Sequence, residues 1–70
     1  MKRIAVSSST LARAGYDDAG RILELEFTSG ALYRYFDVPR EVYDALLRAD
    51  SLGRYFNREI RDRYRYVRLS

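Results

Sequence analysis

Arg21-Ile22-Leu23-Glu24-Leu25-Glu26-Phe27-Thr28-Ser29-Gly30-Ala31-Leu32-Tyr33-Arg34-Tyr35-Phe36 is the stretch on which the fold of this chain turns. Leu23, Leu25 and Phe27 alternate with Glu24 and Glu26, the period of a strand with one apolar and one polar face. Thr28-Ser29-Gly30 reads as a three-residue hairpin loop, with glycine in the left-handed position. That loop pairs Phe27 with Ala31, Leu25 with Tyr33 and Leu23 with Tyr35. A two-residue loop would set Leu25 against Arg34 and Tyr33 against Glu26, mixing the faces, so the three-residue register is expected.

Upstream, Leu11–Tyr16 reads as a preceding strand, closed by the turn cluster Asp17-Asp18-Ala19-Gly20. The hairpin logic applied there pairs Tyr16 with Arg21, Ala14 with Leu23 and Ala12 with Leu25. The meander then has one apolar face of Ala12, Ala14, Tyr16, Leu23, Leu25, Phe27, Ala31, Tyr33 and Tyr35. Its other face carries the row Arg13–Glu24–Arg34, in which cross-strand neighbours have opposite charge. Residues 1–9 read as a polar lead-in, and 10–69 as a single domain.

Downstream, Asp37-Val38-Pro39-Arg40-Glu41 has the chemistry of a helix start. Asp37 is the expected cap, Pro39 fits the first turn and Glu41 suits the positive end of the dipole. Val38, Val42, Ala45, Leu46 and Ala49 recur at helical spacing, flanked by Tyr43 and Leu47. Ser51 reads as the cap of a second helix running to about Ile60, with Leu52, Phe56 and Ile60 on its buried side. Gly53 in its first turn is poor helix chemistry; it permits close packing, a sharp corner or the approach of a ligand. After Ile60, aromatic and basic side chains alternate through Leu69, as a short strand or an extended arm. The expected fold is α+β: a three-stranded antiparallel β-meander, two helices packed on one face, and a C-terminal strand or arm.

Seventy residues without cysteine or histidine exclude disulfides and zinc sites built on thiolate or imidazole. Catalysis is not expected. There is no imidazole base and no thiol, the one lysine is Lys2, and no glycine-rich phosphate loop exists. No cofactor is expected either. No apolar run is long enough for a membrane span, and a cytoplasmic protein, monomeric or weakly dimeric, is the expectation.

Charge carries the one functional signal. The net charge is +3, and twelve of the thirteen basic residues are arginine. Residues 1–53 carry seven basic and eight acidic side chains, a balance of −1; residues 54–70 carry six arginines against Glu59 and Asp62, a balance of +4. Arg54, Arg58 and Arg61 recur at i, i+4 and i+7, opposite the apolar side of the second helix. Arg63, Arg65 and Arg68 extend the charge into the tail, interleaved with Tyr64 and Tyr66. Arginine offers a planar fork to phosphate, and exposed tyrosine a platform for bases, so RNA or another polyanion is the expected partner. Ser51, Gly53 and Arg54 form a candidate phosphate site at the helix start. A solvated basic helix face and a tail whose tyrosines belong to the core form the competing reading. A protein-interaction domain or small accessory protein is the alternative function.

Several of these residues also form a recognisable set. Gly15-Tyr16-Asp17, Leu23-x-Leu25-x-Phe27-x-Ser29-Gly30, Tyr33-Arg34-Tyr35-Phe36-x-Val38-Pro39 and Tyr43-x-x-Leu46 resemble the KTSC family. So does Ser51-x-Gly53-Arg54-Tyr55-Phe56-Asn57-x-x-Ile60-Arg61-x-x-Tyr64. The resemblance runs from about Val6 to Leu69. It implies a small bacterial domain, found free-standing and at the C-terminus of some lysyl-tRNA synthetases, for which an RNA-binding role is suggested. Many members carry proline between the last two tyrosines, where this chain has Arg65.

Overall fold

The hairpin around Thr28-Ser29-Gly30 folds in the three-residue register. In a computed structural model describing residues 1–70, β3 (Ile22–Phe27) and β4 (Leu32–Tyr35) pair antiparallel, Leu23 opposite Tyr35 and Leu25 opposite Tyr33. The Phe27 N–H donates to the Ala31 carbonyl, and Gly30 takes φ 96°. Only glycine enters that conformation without strain.

The preceding hairpin differs from expectation. Strand β2 (Leu11–Asp17) pairs with β3 through Ala14 and Leu25, Tyr16 and Leu23, and Asp17 and Ile22. This is two residues away from the expected register. Arg21, not Gly20, takes the positive φ (56°), so the turn extends one residue further than its composition suggests. A slip of two leaves every side chain on its own face, so alternation could not detect it. A β-bulge between Leu11 and Arg13 then turns Leu11 inward in place of Ala12. Arg13 consequently faces Glu26, not Glu24.

The sheet has five strands, not three, in the order β1-β2-β3-β4-β5. Within the expected lead-in, Arg3–Ala5 forms the edge strand β1 beside β2. The Ser8 hydroxyl accepts from Thr10 N–H and Leu11 N–H at the connecting turn. At the other edge Tyr66–Arg68 forms β5 and pairs with β4, which resolves the strand-or-arm alternative. Period-two arguments miss β1 and leave β5 undecided because three residues are too few to show a period.

Helix α1 (Arg40–Arg48) starts without a side-chain cap. Pro39 occupies the cap position, and Asp37 sits at φ 58° in the turn before it, so Asp37 does not cap as expected. The helix is tied to the sheet instead. The Tyr16 hydroxyl donates to the Val38 carbonyl, and the Tyr16 ring stacks on Tyr43 at 5.3 Å. Helix α2 (Leu52–Glu59) begins at Ser51, whose hydroxyl accepts from Arg54 N–H at 3.2 Å, as its sequence demands. Leu52, Phe56 and Ile60 join Tyr43 and Leu46 of α1 against Leu11, Ala14, Leu23, Leu25 and Tyr35 of the sheet, and these make the core.

The outer face of the sheet is held by charge. Glu24, only 5% exposed, lies between Arg34 (2.9 Å) and Arg3 (3.3 Å). Arg3 reaches it across Gly15, where a Cβ would meet the Lys2 carbonyl at 2.7 Å and the Arg3 side chain at 3.0 Å.

Candidate functional site

The C-terminal quarter of the chain places its arginines according to where α2 ends. Arg54, Arg58 and Arg61 would share one face of a longer helix, but the helix closes at Glu59 and Ile60 turns out of it (φ −121°, ψ −47°). Arg54 and Arg58 stay on the solvent side of α2, beside a cleft toward Ala45 of α1 and Ala49 just after it. Arg58 pairs with Glu59 at 3.1 Å and lies over the Tyr55 ring. Arg61 instead faces a groove on the opposite flank. Arg63 donates from Nε to the Arg58 carbonyl (3.3 Å) and so closes the helix end.

Strand β5 returns the remaining residues to the sheet. Because Tyr66 pairs with Tyr35 and Arg68 with Tyr33, all four side chains share the face that carries the helices. The Tyr66 ring lies 5.6 Å from both Tyr33 and Tyr35, tilted 46° and 37° to them. The Arg68 guanidinium sits 5.8 Å from the Tyr33 ring centre, a cation–π arrangement. Tyr66 remains 53% exposed. Tyr64 behaves differently: it is partly buried and packs against the core. Arg65 points to the far end of β4, over Phe36 (5.2 Å) and 3.9 Å from Asp37.

Between the end of α2 and the β4–β5 edge lies a groove of about 570 Å³. Tyr33, Tyr35, Phe27 and Phe56 form its apolar lining, with Tyr66 and Arg68 on the β5 side and Asn57, Arg61 and Asp62 on the α2 side. Burial, reinforced by the neighbouring Tyr33 and Tyr66, pushes the Tyr35 phenol up to about 12, so it is neutral at any physiological pH. The groove therefore offers aromatic faces, the neutral Tyr35 hydroxyl, two guanidiniums, one amide and one carboxylate.

Of the residues singled out in the sequence, Arg61, Tyr66 and Arg68 meet at this groove. Arg54 and Arg58 lie at the α1–α2 cleft, and Arg63, Tyr64 and Arg65 at neither. The candidate phosphate site at Ser51, Gly53 and Arg54 has its polar groups in use: the Ser51 hydroxyl caps Arg54 N–H. Gly53 is buried against Thr10, so close packing is the reading of that glycine which the fold supplies. Asn57, Asp62, Tyr33 and Tyr35 were not among the expected site residues. Tyr33 and Tyr35 share the apolar face by register, and only the pairing of β5 shows that this face is left partly uncovered there.

Among the first 53 residues Arg3, Arg13, Arg34 and Arg40 each meet a carboxylate, and Lys2, Arg21 and Arg48 do not. In the C-terminal segment only Arg58 and Arg65 do, which leaves Arg54, Arg61, Arg63 and Arg68 without a carboxylate side chain as partner. No helix is long and apolar enough to cross a membrane.

Known proteins are similar over most or nearly all of this chain. The KTSC domain matches residues 7–64. A crystal structure of a KTSC domain protein from Yersinia pestis superposes with a TM-score of 0.95 at 32% identity, over 99% of this chain and 97% of that one. An uncharacterised protein of Stutzerimonas stutzeri is 59% identical over 99% of both chains. A lysine–tRNA ligase of Nostoc sp. is 42% identical over 79% of this chain, a stretch that makes up 10% of the ligase.

Proposed function

Because this chain belongs to the KTSC domain family, we propose that it is a non-catalytic cytoplasmic module that binds RNA through its C-terminal arginines. The observation that carries this reading is the set of guanidiniums at Arg54, Arg61, Arg63 and Arg68 that no side-chain carboxylate neutralises. Arginine binds phosphate by charge and by a planar pair of N–H donors, and it keeps its charge at every physiological pH. Four arginines without a side-chain carboxylate partner within one segment are a surface that attracts a polyanion. Support for RNA among polyanions comes from the lysine–tRNA ligases: a segment like this chain lies within proteins whose named substrate is tRNA.

The test is a titration of fluorescently labelled tRNA and of mixed-sequence single-stranded RNA, followed by polarisation at rising salt. Binding is expected at low salt and should weaken steeply, with a slope in log–log form of about −0.7 for each phosphate neutralised on a single strand. Absence of binding to either RNA at low salt overturns the proposal.

A protein partner is the second reading, favoured by the exposed edge of β5, where Val67 and Leu69 are 41% and 42% exposed. An assembly that persists in high salt, seen by sedimentation, would support that reading instead.

A further inference from the structure

We propose that the groove between the end of α2 and the β4–β5 edge reads unpaired RNA bases, and favours bases that carry an exocyclic amine. This rests on the RNA reading above and adds to it a place, a strand state and a base preference.

The place follows from the aromatic geometry. Tyr66 is the one groove tyrosine with an open ring, and its tilt to Tyr33 and Tyr35 leaves it out of the parallel arrangement (20°) those two share. A base laid on Tyr66 would cover exposed apolar surface without displacing a packed neighbour. Arg61 on one wall and Arg68 on the other stand where the phosphates flanking such a base would pass. Arg68 is already held in place over Tyr33.

The strand state follows from the shape. Bases in a duplex have their faces covered by their neighbours, and the groove offers ring faces inside a concavity. A single strand can turn one base into it, while a duplex reaches only the arginines on the rim.

The base preference follows from Asp62. A carboxylate in a groove meant for a polyanion is unfavourable toward phosphate, and Asp62 has no ion-pair partner within the protein. A carboxylate oxygen only accepts hydrogen bonds, so it matches the amino groups of adenine, cytosine and guanine. Uracil has no amino group, and its one ring donor, N3–H, is flanked by two carbonyl oxygens that repel a carboxylate. Asn57, across the same wall, both donates and accepts, and suits the edge of the same bases.

The experiment measures binding of short labelled oligoadenylate, oligouridylate and the duplex formed by the two, by polarisation at one low salt concentration. Oligoadenylate should bind about 10-fold tighter than the duplex and several-fold tighter than oligouridylate. Tyr66→Ala should remove the single-strand preference and leave the salt-dependent remainder, whereas Tyr66→Phe should keep it. Asp62→Leu should tighten binding of oligouridylate and of the duplex, by removal of a negative charge, and erase the difference between adenylate and uridylate. Amide chemical shifts of the unaltered protein give an independent reading. On addition of oligoadenylate, Asn57, Asp62 and Tyr66 should move and Arg13 and Glu26 should not. Equal binding of duplex and single strand, or shifts confined to the outer sheet face, overturns the groove site while RNA binding as such stands. Equal binding of adenylate and uridylate overturns the base preference. No binding of any of the three overturns both this proposal and the function it rests on.

Discussion

Gly53 and Thr10 meet so closely that a Cβ on the glycine would stand 2.7 Å from the threonine hydroxyl oxygen and 3.2 Å from its Cβ. This contact lets α2 settle onto the start of β2, and it explains a glycine in the first turn of a helix. Gly53→Ala should therefore destabilise the protein by about 1 kcal/mol or more, overpacking outweighing the helix propensity of alanine. In a Thr10→Ala background the loss should shrink, because the 2.7 Å approach to the hydroxyl is gone and only the 3.2 Å approach to the retained Cβ remains. Denaturant unfolding of the four variants checks this, and additive losses would contradict it.

Glu24 supports a second cycle. Its carboxylate is shared by Arg3 and Arg34 on the outer face of the sheet. Arg3→Ala or Arg34→Ala alone should cost about 1 kcal/mol, since one partner remains. Removal of both should cost about 3–5 kcal/mol, more than the sum, because a nearly buried charge is then unpaired. Urea midpoints of the two single variants and the double variant decide it.

Alkaline unfolding should report on Tyr35. Its pKa is raised from 10.0 to about 12, so the neutral phenol stabilises the fold in full below about pH 10. That contribution is lost as pH rises from about 10 through 12. Tyr35→Phe, which cannot ionise, should move the alkaline unfolding midpoint upward. It should not abolish the transition, because burial also raises Tyr16, Tyr43 and Tyr55. Circular dichroism against pH gives the midpoint, and an unchanged midpoint would show that ionisation of Tyr35 is not linked to unfolding.

For RNA binding, position should matter more than charge count. Arg13→Ala and Arg68→Ala each remove one positive charge, but Arg13 faces Glu26 on the outer sheet face and Arg68 lines the groove. Arg68→Ala should weaken binding of single-stranded RNA about 5- to 10-fold, and Arg13→Ala less than twofold. Equal losses would mean that only net charge counts.

The sequence was most legible where its period was long. The β3–β4 register, the cap at Ser51 and the buried series Leu52, Phe56 and Ile60 all follow from residues whose local chemistry admits one arrangement. The β2–β3 register did not, because the alternatives differ by an even number and a bulge resets the count at Leu11. Asp37 looked like a cap but sits two residues before the cap position, which Pro39 occupies. As for the candidate site, the arginine cluster is plain in the composition. Its division between two flanks is not, since that depends on α2 ending at Glu59, two residues before Arg61 could join Arg54 and Arg58. The groove itself is a product of long-range pairing and leaves no local signature.

Strand order makes the assembly of that groove unusual within the fold. Every sheet pairing except the last joins strands that follow each other with no helix between them. β5 must find β4 across both helices, pairing Tyr35 with Tyr66 and Tyr33 with Arg68. Loop closure over that span carries the largest entropic cost of any pairing in the sheet. The three-residue strand that repays it is also exposed along its length. The groove is thus the part of the molecule expected to form late in folding and to open first under native conditions. Any molecule that occupies it would act as a clasp, holding the end of the chain to its middle, and would slow amide exchange in β4 and β5 before any other strand.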